Sequence, residues 1–151
     1  MERLLTEGER ALVGAMFGRA IDRDRVTIRR RRFLPFQPRG LLMAPMGHIH
    51  AHPHSHLWSE DYSRERIDLQ ALFLHEMVHV WQAQTRGTFY LLLMRHPFCR
   101  YRYAFEPGKT FDWYGLEQQA EIVRHVFLLR QGCQLSDVPP LGQLEAVLPF
   151  G

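Results

Sequence analysis

The sequence predicts an α+β domain, a small antiparallel sheet packed against two main helices. Apolar residues recur at three- and four-residue spacing from Ile67 to Thr85 and again from Leu116 to Arg130, as the buried stripe of a helix requires. Short extended segments, at Val26-Thr27-Ile28 and between Leu41 and His52, precede both helices and are bounded by proline and glycine. The chain of 151 residues has no internal repeat, low-complexity linker or shift in composition, so residues 1–151 read as one domain.

Each element has a local cause. Thr6 and Glu9 have the spacing of a capping box ahead of the small and apolar stretch Ala11 to Ala20, so a helix is expected there. Gly14 and Gly18 interrupt it and allow another element to approach closely. Val26-Thr27-Ile28 and the arginines after it alternate like a strand, whereas Phe33 to Gly40 contains two prolines and a glycine that exclude a helix. Leu41 to Met46 and Gly47 to His52 read as extended, ended by Pro53. In the strongest helix Leu69, Leu72, Phe73, Met77, Val80 and Trp81 form the apolar stripe, and Gly87 stops it. Residues 88–112, with Pro97, Pro107 and Gly108, form a long structured crossover. Within it Phe98, Tyr101, Tyr103 and Phe105, interleaved with Arg100 and Arg102, alternate like a half-buried strand. Gly132 ends the second helix, and Pro139-Pro140 leads into a short apolar segment to Phe150.

Composition narrows the function. Hydrophobic residues at 46% and charged residues at 23% are ordinary for a globular domain. The net charge of +3 comes largely from Arg29-Arg30-Arg31-Arg32 and the Arg19 to Arg25 stretch. A solvated basic edge explains that run, and nucleic acid is not an expected partner because no base-reading motif accompanies it. Cys99 and Cys133 form neither a disulfide framework nor a metal knuckle and are expected to be reduced. Charges occupy the start of the chain where a signal peptide would be apolar, and no apolar run is long enough to span a membrane. The expectation is a protein that is cytoplasmic when made and makes no membrane contact, with export without a signal peptide left open.

The chemistry lies in His75-Glu76-Met77-Val78-His79. With about 3.6 residues per turn, positions 75 and 79 project from one helix face a turn apart, so both imidazoles can converge on one Zn²⁺. Glu76 is rotated out of the coordination shell yet close enough to act as general base on a metal-bound water. Leu72, Phe73, Leu74, Met77, Val78 and Val80 make this helix apolar, and buried imidazoles and carboxylates must be paired or metal-bound to offset desolvation. A catalytic zinc needs a third protein ligand and an open position. Glu117 and Glu121 share a face of the second helix, and the small Ala120 between them permits close helix approach. Either carboxylate can bind zinc while the other accepts the N–H of a zinc-bound histidine. His125, one turn beyond Glu121, is a candidate to orient substrate or stabilise an oxyanion, and Tyr114, three residues before Glu117, is a second candidate.

His75-Glu76-x-x-His79 followed by Glu117-x-x-Ala120-Glu121 resembles the gluzincin class of zinc metallopeptidases. The resemblance implies a zincin-like fold, with Glu117 as third ligand and Glu121 as its supporting carboxylate. Glutamate at 121 stands where that class usually has aspartate, so the two roles are open to exchange. Phe36-Gln37-Pro38-Arg39-Gly40, Met43-Ala44-Pro45, His75 to Gln82, Arg95 to Tyr101 and Tyr114 to Val123 resemble short bacterial Vgr-related proteins. These in turn resemble the zinc metallopeptidase domain at the end of some type VI secretion spike proteins. That resemblance implies a link to secretion and, as partners, a peptide or protein substrate and a secretion-apparatus or immunity protein.

His48, His50, His52, His54 and His56 alternate, and in an extended strand the first three share a face. They read as a polar strand and loop, a substrate-strand edge or a second, weaker metal site, with His50 or His52 the guess for any part in the zinc site. The expectation is thus a zinc-dependent metallohydrolase acting on peptides. A non-catalytic zinc-stabilised adaptor is the alternative.

Overall fold

A computed structural model describes residues 1–94 and 100–150. The readings placed on Phe98 and Cys99 lie outside the described residues. The described residues form one three-stranded sheet of β1 (Glu2–Leu4), β2 (Thr27–Arg29) and β3 (Ile49–His50), in that spatial order. The helices are α1 (Glu7–Phe17), α2 (Ile67–Arg86), α3 (Tyr90–Met94), α4 (Leu116–Arg130) and α5 (Leu141–Val147). None of them is long and apolar enough to cross a membrane.

The α+β class holds, but the sheet is mixed rather than antiparallel. Strand β1 runs antiparallel to β2 with Arg3 opposite Ile28, whereas β3 runs parallel to β2 with Ile28 opposite Ile49. Parallel neighbours need a crossover of about a dozen residues or more, and residues 30–48, kept irregular by Pro35, Pro38 and Gly40, provide it. The extended run expected over 41–52 narrows to Ile49–His50. Met43 and His50 close a loop by exchanging two backbone hydrogen bonds, at 3.1 and 2.7 Å, and Gly47 turns within it at φ +87°.

The capping box at α1 forms as read. Glu9 N–H donates to Thr6 Oγ1 at 3.1 Å and Thr6 N–H donates to Glu9 Oε2 at 2.9 Å. Glu9 is wholly buried, and Arg3 binds both its carboxylate oxygens, at 2.9 and 2.7 Å. That pair ties β1 to α1, so the charged residues at the chain start are part of the sheet. Helix α2 ends at Gly87, whose φ of +108° few L-residues adopt. Arg100–Phe105, expected as a strand, is irregular, and the tail folds into α5, for which no expectation was drawn.

Helices α2 and α4 pack on each other at the centre of the molecule. Phe73, Leu74 and Met77 on α2 are wholly buried, as are Ala120, Ile122 and Val126 on α4. Each large apolar side chain removed from water contributes about 1.5–3 kcal/mol. That gain offsets the cost of enclosing polar residues in the same interface.

Candidate metal centre

Those polar residues are His75, Glu76 and His79 on α2 and Glu117 on α4, each no more than 5% exposed. The rings of His75 and His79 are 5.2 Å apart at 76°, a turn apart on the face that meets α4. Glu117 bridges them: Oε1 lies 2.8 Å from His79 Nε2 and Oε2 lies 3.3 Å from His75 Nε2. One donor atom from each of the three residues lies within 4.8 Å of the others. Two imidazoles and one carboxylate, buried with their donor atoms close together, are ligand types that hold Zn²⁺ in proteins, and the residues present fit such an ion.

The outward nitrogens are held as well. His75 Nδ1 is 2.9 Å from Glu121 Oε2, and His79 Nδ1 is 2.8 Å from Gln82 Oε1. With a metal bound, an Nδ1–H given to each acceptor would leave both Nε2 lone pairs for the ion, whereas without one the Nε2 atoms donate to Glu117. Gln82 also donates to Leu116 O at 3.1 Å and Gln119 Oε1 at 2.9 Å, and Gln119 donates to Tyr114 O at 2.9 Å. This amide relay fixes the start of α4, where Glu117 sits. The sequence reading gave Gln82 and Gln119 no role. Their signal was available: Gln82 follows His79 by three residues, on the buried side of the helix.

Charge in the cluster is strongly organised. Burial works against ionised Glu117, but its hydrogen bonds to His75 and His79 outweigh burial and hold the carboxyl well below the usual range. Burial likewise opposes ionised Glu121, whose bonds from His75 and Arg124 bring it to about 2. For His75 burial disfavours the cation, yet the carboxylates of Glu117 and Glu121 push it up to about 10, with the Glu76 charge adding to the effect. The pocket therefore favours positive charge at its centre.

The other candidates stand apart from the three donors. Tyr114 is buried, and its hydroxyl accepts from Glu106 N–H at 3.1 Å, so it anchors the 105–106 segment. His125 lies one turn past Glu121, with Nδ1 2.5 Å from Tyr103 Oη. No tract histidine belongs to the donor cluster among the described residues. His48 pairs with Thr27, His50 is buried against Phe33, and His54 and His56 are exposed. Tyr101, read only as part of an alternating strand, instead stacks its ring on His75 at 6.0 Å and 19°.

No protein-family model matches the chain. The type VI secretion system spike protein VgrG2b of Pseudomonas aeruginosa is 41% identical over 133 residues, which cover 83% of this chain and 13% of that protein. The solved effector domain of P. aeruginosa VgrG2b superposes with a TM-score of 0.76 at 35% identity, covering 95% of this chain and 80% of that one.

Proposed function

We propose that this chain, which belongs to the family of the VgrG2b effector domain, is a zinc-dependent hydrolase of peptide bonds with a zincin-like, gluzincin-type centre. The observation that supports this most is the convergence of His75, His79 and Glu117 in one buried cluster with Glu76 beside it. Zn²⁺ held by these three residues would supply a Lewis acid for the substrate carbonyl and a water of lowered pKa.

The chain's own groups divide the remaining work. Glu76 takes a proton from the attacking water and returns it to the departing amine. Glu121, itself held by Arg124, orients His75, and Gln82 orients His79. The apolar packing of α2 on α4 keeps bulk water from the cluster, which strengthens each of these interactions.

Kinship with a secretion spike protein supports export of the domain by such an apparatus, which needs no signal peptide, with an immunity protein as partner in the producing cell. The other reading, a zinc-stabilised adaptor, requires no carboxylate next to the ligands. Hydrolysis of an unfolded protein by zinc-loaded wild type and Glu76→Gln separates the two. The expected result is a loss of at least about a hundredfold in Glu76→Gln at full zinc content. Equal cleavage by both forms would remove Glu76 from the chemistry.

A further inference from the structure

Glu117, Glu121 and His125 stand on successive turns of one face of α4. At about 1.5 Å per residue, His125 lies roughly 12 Å along the helix axis from Glu117. A cleft of about 260 Å³ opens at that end, lined by Tyr101, Tyr103, Glu121, His125, Ser136 and Asp137. Two of its lining residues also touch the metal centre: Glu121 meets His75 Nδ1 at 2.9 Å, and Tyr101 stacks on the His75 ring. Asp137 sits at φ +58°, a left-handed conformation that aspartate tolerates better than most residues.

The tautomer of His125 follows from its partner. Tyr103 Oη is 2.5 Å from His125 Nδ1 and has no second hydrogen-bond partner among the described residues. Were Nδ1 protonated, the phenol proton would have no acceptor in a half-buried position. With the phenol donating to Nδ1, both groups are satisfied and Nε2 carries the proton. Burial first, and the nearby Arg124 charge second, hold His125 below its ordinary pKa and so keep it neutral.

We propose that this cleft is a substrate subsite, in which Tyr103 fixes His125 as the Nε2–H tautomer so that it donates to a backbone carbonyl of a polypeptide running out from the metal centre. The proposal rests on the hydrolase reading above. An extended chain advances about 3.3 Å per residue, so if the substrate follows the roughly 12 Å axial offset from Glu117 to His125, the carbonyl belongs to a residue about three or four removed from the scissile bond. His125 then acts on substrate length rather than on the reacting atoms, and Tyr103 is a positioning residue.

Two fluorogenic peptides with one shared cleavable bond test this on the zinc-loaded protein, one ending two residues either side of the bond and the other six. Tyr103→Phe and His125→Phe should each lower kcat/KM on the long peptide about fivefold more than on the short one, the effect of one lost hydrogen bond. An equal change on both peptides overturns the subsite. A readout without turnover is the ¹⁵N spectrum of the His125 ring in zinc-loaded Glu76→Gln protein. It should show Nε2–H with Nδ1 as acceptor, and only the long peptide should shift Nε2. An Nδ1–H tautomer, or a ring unmoved by the long peptide, overturns the proposal whether or not the wild type hydrolyses anything. An inactive wild type whose His125 responds to the long peptide would instead sink the hydrolase reading alone.

Discussion

His75 Nδ1 meets Glu121 Oε2 at 2.9 Å while His75 Nε2 faces Glu117 Oε2 at 3.3 Å, so the two carboxylates take opposite nitrogens of one ring. Under the proposed zinc reading this gives Glu117 the ligand's place and Glu121 the supporting one, roles the sequence left exchangeable. Glu117 shares the inner face with both histidines, and Glu121 sits behind His75. Glu121→Ala should weaken zinc binding about 10–100-fold while leaving the ion bound at high zinc. Glu117→Ala should weaken it further. Competition against a chelating dye measures both, and a Glu121→Ala affinity lower than that of Glu117→Ala would reverse the assignment.

Gln82 joins His79 to the start of α4 through three hydrogen bonds in a buried position. Gln82→Ala leaves the buried Gln119 Oε1 and His79 Nδ1 without their partner. In metal-free protein it should cost about 1–3 kcal/mol of stability in urea unfolding, the expense of unsatisfied buried groups. A change below about 0.5 kcal/mol would show that the relay is ornamental to the fold.

The Arg3–Glu9 pair holds β1 against α1, with Glu9 wholly buried and also accepting from Thr6 and Tyr62 N–H groups. Arg3→Met leaves a carboxylate enclosed without its cation and should destabilise the protein by about 3–5 kcal/mol. Thermal unfolding of Arg3→Met and of Arg3→Met with Glu9→Leu checks the cause. The double variant should recover part of the loss.

His50 is nearly fully buried at the sheet edge, and burial, reinforced by Arg29, lowers its pKa to about 4. Its folded pKa is below the unfolded value, so the unfolded chain binds the extra proton first. Stability from the neutral ring is complete above about pH 6.5 and declines as pH falls toward 4. Across that window the decline should be of order 2–3 kcal/mol for this group. Urea unfolding at several pH values, with His50→Phe subtracted as control, measures it, and identical pH profiles for the two proteins would refute it.

Long-range geometry divides what was legible in the sequence from what was not. Helices α1, α2 and α4 were readable because caps and three-to-four spacing act within a few residues. The same spacing put both histidines on one face and both glutamates on another. The mixed sheet was hidden because β3 is only two residues long and its partner is chosen by the path of residues 30–48. Strand β1 was hidden because its residues are charged, and only Glu9, across the turn, gives Arg3 a reason to be there. Tyr101 and Tyr103 were misread as a strand because their partners, His75 and His125, are set by how residues 100–105 cross the two helices. Helix α5 follows a proline pair that marks a break but says nothing of the segment after it.

Hydrolysis measured against metal content tests the metal centre most directly. The protein is stripped with a chelator and titrated with Zn²⁺ while cleavage of a denatured protein is followed. Cleavage should be absent without metal and reach its plateau near about one Zn²⁺ per chain, and His79→Ala should show neither tight binding nor activity. Full-rate cleavage by the metal-free protein, or a chain that takes up no zinc, would contradict it.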